Sequence, residues 1–143
     1  MKILILNGPN LNLLGKREPG IYGTGSYDDL CMELVAYAAA RDIRVDIRQS
    51  NHEGVLIDEI QAADGVYDGI VINPGAYTHY SYAIYDALLA VSVPAVEVHL
   101  SNINRRESFR RISVTAPACR AQIVGHGFLG YICLLYTSDA ADD

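Results

Sequence analysis

The feature that most constrains the fold is a series of short apolar runs, rich in β-branched residues, with helical patterns between them. Two of the runs are nearly continuous in valine and isoleucine, which is typical of strands that are covered on both faces. Short connections between such strands and helices indicate βαβ units and a parallel sheet. The predicted strands cover residues 2–6, 44–47, 69–72, 95–100 and 121–124.

Four segments between these strands have the residue spacing of helices. The first begins after Ser26, has Asp29 as the acidic partner of a capping box, and turns Leu30 and Leu34 to one face. Five strands within 143 residues predict one α/β domain with a flavodoxin-like, doubly wound, five-stranded parallel sheet rather than a barrel. The predicted helices cover residues 27–40, 54–63, 81–91 and 105–111.

Charge and composition restrict the partners and the compartment. A net charge of −6 disfavours nucleic acid as a partner. The apolar run after Lys2 is too short for a signal peptide, and no apolar stretch is long enough to span a membrane. The three cysteines, Cys31, Cys119 and Cys133, are odd in number and lack the spacing of a zinc site. We therefore expect a cytoplasmic protein with reduced thiols, no metal site and no membrane contact.

Polar segments follow the predicted strands where a ligand site is expected. In open α/β sheets, ligands bind beyond the carboxyl ends of the strands, and residues 7–10, 73–75 and 97–102 occupy those positions. Glu97 and His99 are two residues apart, so they project from the same face of a strand. Burial of such charges is costly unless they are paired. The pair is either a structural contact or part of a site, and its position at this edge favours a site.

Cationic residues predict an anion site at the same edge. Arg106 and Arg110 are four residues apart in a predicted helix, so they would share a face suited to a carboxylate; the alternative is a solvated helix face. The long segment 7–25 carries Arg17 and Tyr22. A phenol titrates near ~10, and lowering its pKa to about 7 takes roughly 4 kcal/mol, much of which a nearby arginine can supply. Such a phenolate can remove a proton from a carbon next to a ketone.

Four long motifs occur in a fixed order and together identify a family. They read ILNGPNLNLLGKREPGIYG from Ile5, RQSNHEG from Arg48, INPGAYTH from Ile72 and VEVHLSN from Val96. Over about residues 2–131, the chain resembles the type II 3-dehydroquinate dehydratases. It departs from the family pattern after Phe109, although an arginine follows there as in the family.

The resemblance implies a cofactor-free lyase that converts 3-dehydroquinate into 3-dehydroshikimate and water, and that assembles as a dodecamer of four trimers. By its motifs, Tyr22 matches the proton acceptor and Arg17 its electrostatic partner. His99 matches the proton donor, with Glu97 as its orienting group. Asn10 matches the residue that holds a water against the enolate. The matched substrate-binding positions are Asn73, His79, Leu100, Ser101 and Arg110, with Asp86 reaching the site of a neighbouring subunit.

We expect the polar members of this set that follow the strands to line one cleft at the carboxyl edge of the sheet. Two alternatives to a dehydratase are considered. One is a flavodoxin-like binding module, for FMN or as a phosphorylated receiver, and the other is an inactive oligomeric homologue. A receiver needs paired acidic residues after the first strand, where this chain has Asn7 and Asn10. An FMN site needs a Ser/Thr-rich phosphate loop there. The expected lining residues are Asn10, Asn73, His79, Glu97, His99, Ser101 and Arg110.

The last eleven residues predict a boundary in the chain. Residues 133–143 read CLLYTSDAADD, which fits the translation of a transposase sequencing adaptor in a single frame, and such segments are excluded from fold reasoning. The family continues at this position into a final helix. We therefore expect a dehydroquinase domain over residues 1–132, with its C-terminal helix truncated, and a non-native tail over residues 133–143.

Overall fold

The computed structural model describes residues 1–16, 25–128 and 130–131. Its centre is a sheet of five strands in the order β2-β1-β3-β4-β5, and every neighbouring pair is parallel. This is the flavodoxin-like strand order, so the predicted fold class is confirmed. The strands are β1 (Lys2–Asn7), β2 (Arg44–Gln49), β3 (Gly69–Asn73), β4 (Ala95–His99) and β5 (Gln122–Val124).

Three α-helices connect these strands: α1 (Tyr27–Ala39), α2 (Glu53–Ala63) and α3 (Tyr82–Ala90). The capping box at the start of α1 is present as predicted. The Ser26 hydroxyl accepts from the Asp29 backbone N–H at 3.1 Å, and the Asp29 carboxylate accepts from the Ser26 N–H at 3.1 Å. The N–H groups of Ser26 and Asp29 are therefore satisfied by the residues that the sequence places there.

The sheet is covered on both faces because the buried residues of its central strands alternate between two apolar cores. Ile3 and Ile5 pack with α1 on one face, whereas Leu4 and Leu6 pack with α2 and α3 on the other. Every residue of β3 and β4 is buried. The near-continuous valine and isoleucine of these strands follows from this two-sided burial.

The predicted helix over residues 105–111 is wrong. The segment forms two short 3-10 helices, Ile103–Arg105 and Ser108–Arg111, with extended backbone between them at Arg106 and Glu107. The Asn102 side chain accepts from the Asn104 backbone N–H at 3.0 Å, which starts a separate short turn instead of a continuous helix. The arginines of this segment therefore do not share one helical face.

Some expectations fall on residues that the structure does not describe. These are the predicted base Tyr22, its partner Arg17, and the boundary at residue 132 with the truncated helix and the tail. Before that boundary, Phe128, Gly130 and Tyr131 are helical, and Tyr131 is fully buried. No helix in the described ranges is long and apolar enough to cross a membrane.

Candidate active site

One pocket of about 140 Å³ lies at the carboxyl edge of the sheet. The last residues of β3 and β4, Asn73 and His99, line it together with the segments that follow β1, β3 and β4. This is where the strand-order rule places ligands in open α/β sheets. The lining residues include six of the seven expected at one cleft, together with Leu100 and Arg106: Asn10, Asn73, His79, His99, Leu100, Ser101, Arg106 and Arg110.

Two turns that form the pocket pack closely against each other, and glycine makes this contact possible. A Cβ on Gly8 would lie 2.5 Å from the Pro74 carbonyl oxygen, which is closer than such atoms approach. Gly75 has a φ of 62°, and a Cβ there would lie 3.1 Å from Pro9. The Gly8 N–H also donates to the Asn73 carbonyl at 2.8 Å. Glycine at both positions therefore lets the turns after β1 and β3 form one continuous wall.

The Glu97 carboxylate lies directly behind His99 and has no exposed surface. It accepts hydrogen bonds from His99 Nε2 at 2.9 Å, Ser113 Oγ at 2.8 Å and Gln122 Nε2 at 2.8 Å. The Thr115 hydroxyl donates to its other oxygen. Four donors compensate the loss of water, as a buried charge requires. Glu97 therefore does not line the pocket, contrary to expectation, but supports the residue that does.

These contacts fix the charge of Glu97 and the orientation of His99. Burial would raise the pKa of Glu97, but the hydrogen bonds from His99, Thr115 and Gln122 outweigh it and hold the pKa below its usual range. The carboxylate is therefore ionised at neutral pH. Because His99 Nε2 is bonded to this carboxylate, Nδ1 is the ring nitrogen left to exchange a proton at the pocket.

Replacing Glu97 by Ala is expected to lower the free energy of unfolding by about 3–5 kcal/mol at pH 7, because it leaves buried donors without an acceptor. The lowered folded-state pKa gives the sign of the pH dependence. The carboxylate stabilises the fold above its unfolded pKa of about 4.3, and this contribution is lost as the pH falls through the folded value. Denaturant unfolding at several pH values measures both effects.

The matched control for this experiment is Glu59→Ala. Glu59 forms an ion pair with Arg48 at 2.9 Å, with side chains 28% and 46% exposed. An exposed pair of this kind contributes only ~0–1 kcal/mol. Equal losses in the two variants would contradict the stabilising role assigned to the buried carboxylate.

His79 lines the pocket from the turn after β3 and is held in one tautomer. The Ile112 carbonyl can only accept, so His79 Nδ1 carries the hydrogen in their 2.9 Å contact. Burial lowers the pKa of His79, and His99 and Arg110 lower it further against the opposing effect of the Ile112 carbonyl. The imidazole is therefore neutral at pH 7, with Nε2 left as the hydrogen-bonding atom for a ligand.

Two arginines line the pocket from the segment that was predicted as a helix. The Arg110 guanidinium donates from Nε to Glu107 at 2.5 Å and lies 4.8 Å from the centre of the Phe109 ring. The contact with Glu107 uses Nε, and the two terminal nitrogens of the guanidinium take no part in it. Arg106 lines the same pocket. Both cations that the sequence suggested for an anion site therefore line the pocket, although separate short turns and not one helical face place them there.

A buried phenol fixes the strand-end asparagines next to the pocket. Tyr131 Oη accepts from Asn73 Nδ2 at 3.1 Å and donates to Asn7 Oδ1 at 2.5 Å. Asn7 and Asn73 are register partners on β1 and β3, and Asn73 Oδ1 also accepts from the Gly75 N–H at 3.2 Å. The Asn73 carboxamide is therefore held at both of its ends.

Sequence reasoning missed the groups that hold the site from behind. Ser113, Thr115 and Gln122 surround Glu97, and Tyr131 holds Asn73, but none lies in a motif that follows a strand end. The sequence could predict that a buried Glu97 carboxylate needs hydrogen-bond donors. It could not predict which residues supply them. Asp86, in contrast, is exposed on α3 and does not line this pocket. Within the described ranges, no three His, Cys, Asp or Glu side chains are grouped to hold a metal ion.

Comparison with known proteins agrees with this architecture. Residues 1–138 match the family described as Dehydroquinase class II. The chain belongs to the class II dehydroquinase family. The matched range ends inside the segment 133–143, and the proposed boundary at residue 132 remains a prediction.

Named relatives of this dehydroquinase cover most of its length. It is 58% identical over 129 residues to a 3-dehydroquinate dehydratase of Halalkalibacterium halodurans, covering 90% of this chain and 89% of the relative. A 3-dehydroquinate dehydratase of Clostridium acetobutylicum is 58% identical over 132 residues, 92% of each chain. The crystal structure of a type II dehydroquinase from Butyrivibrio crossotus superposes with a TM-score of 0.96 at 56% identity, covering 97% of each chain.

Proposed function

We propose that this chain is a 3-dehydroquinate dehydratase that forms 3-dehydroshikimate and water in the shikimate route. The observation that carries the proposal is the His99–Glu97 pair. A buried, ionised carboxylate orients an imidazole whose other nitrogen remains for the pocket. Family membership and 58% identity to named dehydratases support the substrate.

The reaction needs one base and one acid. We assign the base to Tyr22, as a phenolate beside Arg17, which takes the proton from the carbon next to the ketone. The electrons of that C–H bond form an enolate, whose charge is held through Asn10 and a bound water. His99 then gives a proton to the departing hydroxyl group, the C–O bond breaks, and water leaves. Oriented hydrogen-bond donors can stabilise such an enolate, so the scheme needs no metal ion and no Schiff base.

The other lining residues suit a polyhydroxylated anion. Arg110 offers a guanidinium for the substrate carboxylate. Asn73 and the neutral His79 also line the pocket and offer hydrogen bonds to hydroxyl groups. Leu100 and Ser101 complete the site at the end of β4, the first with an apolar surface and the second with a hydroxyl.

The alternatives have less support at the same positions. Asn7 is buried and bonded to Tyr131 and Tyr27, so the end of β1 lacks the exposed acidic pair of a receiver. The turn after β1 packs on Pro74 and carries no hydroxyl residues for a phosphate. An inactive homologue could keep Glu97 for stability alone, but it would not need His99 at the pocket beside Asn10, Asn73 and Arg110.

We further propose that the enzyme assembles as a dodecamer of four trimers and works in the cytoplasm. Asp86 is exposed on α3, where it is available to a neighbouring subunit. Large apolar side chains are also exposed on and near this helix, and such surface favours assembly. Cys31 and Cys119 are free thiols, which fits a reducing compartment. The exposed apolar residues are Tyr80, Tyr82, Leu89, Phe109 and Ile112.

A turnover assay tests the function. The purified protein is expected to convert 3-dehydroquinate into a product with the ultraviolet absorbance of a conjugated enone. A chelator is expected to leave the rate unchanged, and so is borohydride added with substrate, because no Schiff base forms. A His99→Asn preparation purified in the same way controls for contaminating host enzyme. Absence of enone formation by the wild-type protein would reject the proposal.

A further inference from the structure

The segment that joins β2 to α2, with the end residue of each, contacts both turns that form the pocket, although it contributes no lining residue. It comprises residues 49–53, within the motif RQSNHEG, to which the reaction assigns no role. Gln49, the last residue of β2, donates from Nε2 to the Gly8 carbonyl at 3.2 Å and to Asn12 Oδ1 at 3.3 Å. The segment therefore holds the backbone of the turn that contains Asn10.

Asn51 holds Asn10 directly. Its side-chain Oδ1 accepts from the Asn10 backbone N–H at 3.0 Å and from Gln49 Nε2 at 3.1 Å. Asn10 has φ 69° and ψ −3°, a left-handed conformation that residues other than glycine adopt rarely and asparagine tolerates best. No hydrogen bond among the described residues uses the Asn10 carboxamide itself. Its position therefore depends on the backbone conformation that Asn51 holds.

Asn51 is itself fixed by the turn after β3. The Tyr77 hydroxyl donates to the Asn51 backbone carbonyl at 3.0 Å, and Tyr77 lies in the 3-10 helix Gly75–His79 that carries His79. Two residues further on, Glu53 accepts from the Ser81 hydroxyl at 2.6 Å. The segment thus spans from the turn after β1 to the turn after β3, and Asn51 lies at its centre.

We propose that Asn51, supported by Gln49, is a positioning residue that sets the orientation of the Asn10 carboxamide at the reacting centre. This inference rests on the proposed function, in which Asn10 holds the water that stabilises the enolate. Because the enolate develops only along the reaction, loss of positioning lowers kcat more than it raises KM. A misplacement of about 1 Å at such a centre costs roughly 10²-fold in rate.

The decisive comparison is between Asn51→Ala and Asn51→Asp. Both hydrogen bonds end on Oδ1, so aspartate keeps the acceptor and alanine removes it. We expect Asn51→Ala to lower kcat by roughly 10–100-fold with KM changed less than about threefold. Asn51→Asp is expected to retain kcat near the wild-type value. His52→Ala, at the adjacent exposed position whose side chain caps nothing, is the matched control, and melting curves exclude unfolding.

A double-mutant cycle with Asn10→Ala tests whether the two residues act together. If Asn51 acts through Asn10, adding Asn51→Ala to Asn10→Ala causes little further loss of kcat. Multiplying losses would overturn the inference, as would an Asn51→Ala variant that matches His52→Ala. An inactive wild type would instead reject the proposed function. A normal kcat for Asn10→Ala would remove the assigned role of Asn10 and this inference with it.

Discussion

The His99→Asn variant is expected to lose about 10²–10⁴-fold in kcat at neutral pH while it keeps its fold. Asparagine cannot act as an acid, so the hydroxyl group would have to leave without a proton from residue 99. Asparagine is too short to place its amide where His99 Nε2 now donates to Glu97 at 2.9 Å. The buried carboxylate still accepts from Ser113, Thr115 and Gln122, so the variant tests loss of the acid while most of the donors to Glu97 remain.

Steady-state kinetics and thermal melting of His99→Asn measure the two effects separately. The matched control is His52→Asn, because His52 is exposed and does not line the pocket. A His99→Asn variant that turns over at the rate of His52→Asn would reject the assignment of His99 as the acid. A collapse of its melting temperature would instead show that the pair is mainly structural.

Tyr22→Phe is expected to lose kcat by a similar factor of about 10²–10⁴, because phenylalanine lacks the group that removes the proton. The assignment comes from the match of Tyr22 to the family motif, and the change removes a single oxygen atom. Arg17→Ala is expected to keep Tyr22 as the base, but with a smaller fraction of it ionised at neutral pH. Without the cation, the phenolate forms at higher pH, so the rising limb of activity moves to higher pH.

The pH profile of kcat/KM distinguishes these two variants. Tyr22→Phe is expected to be slow at every pH, whereas Arg17→Ala regains part of its activity as the pH rises. Tyr37→Phe controls for the loss of a phenol, since Tyr37 lies on α1 and does not line the pocket. Near-normal turnover by Tyr22→Phe would show that another group takes the proton.

The fold was predictable from the sequence because burial on both faces leaves a strong local pattern. The apolar runs of β1, β3 and β4 have few other interpretations, and the capping box at Ser26 and Asp29 marks the start of α1 within one turn. The helix predicted over residues 105–111 was wrong for a local reason. The Asn102 side chain accepts from the Asn104 backbone N–H and starts a separate turn. The spacing of apolar and charged residues in the sequence does not reveal such a contact.

The site was less predictable, because side chains distant in sequence orient its residues. The strand-end rule and the family motifs point to His99, Asn73 and Asn10, but not to what holds them. Tyr131 reaches Asn73 across 58 positions, and Asn51 reaches Asn10 across 41. No periodicity relates such pairs. Their contacts follow from sheet order and from the turn geometry, which emerge only once the chain has folded.

The phenol of Tyr131 also limits which sequence changes this protein tolerates. Its hydroxyl serves Asn7 and Asn73 at once, so removing it leaves two buried amides without that partner, and changing either asparagine leaves the hydroxyl with one. The three positions are therefore coupled, and acceptable substitutions there must occur together. For recombination with a relative, any junction that exchanges the C-terminal segment must fall after residue 131 or import a tyrosine at the same place. A junction before residue 131 that imports no tyrosine there would leave Asn7 and Asn73 without the hydroxyl that they share.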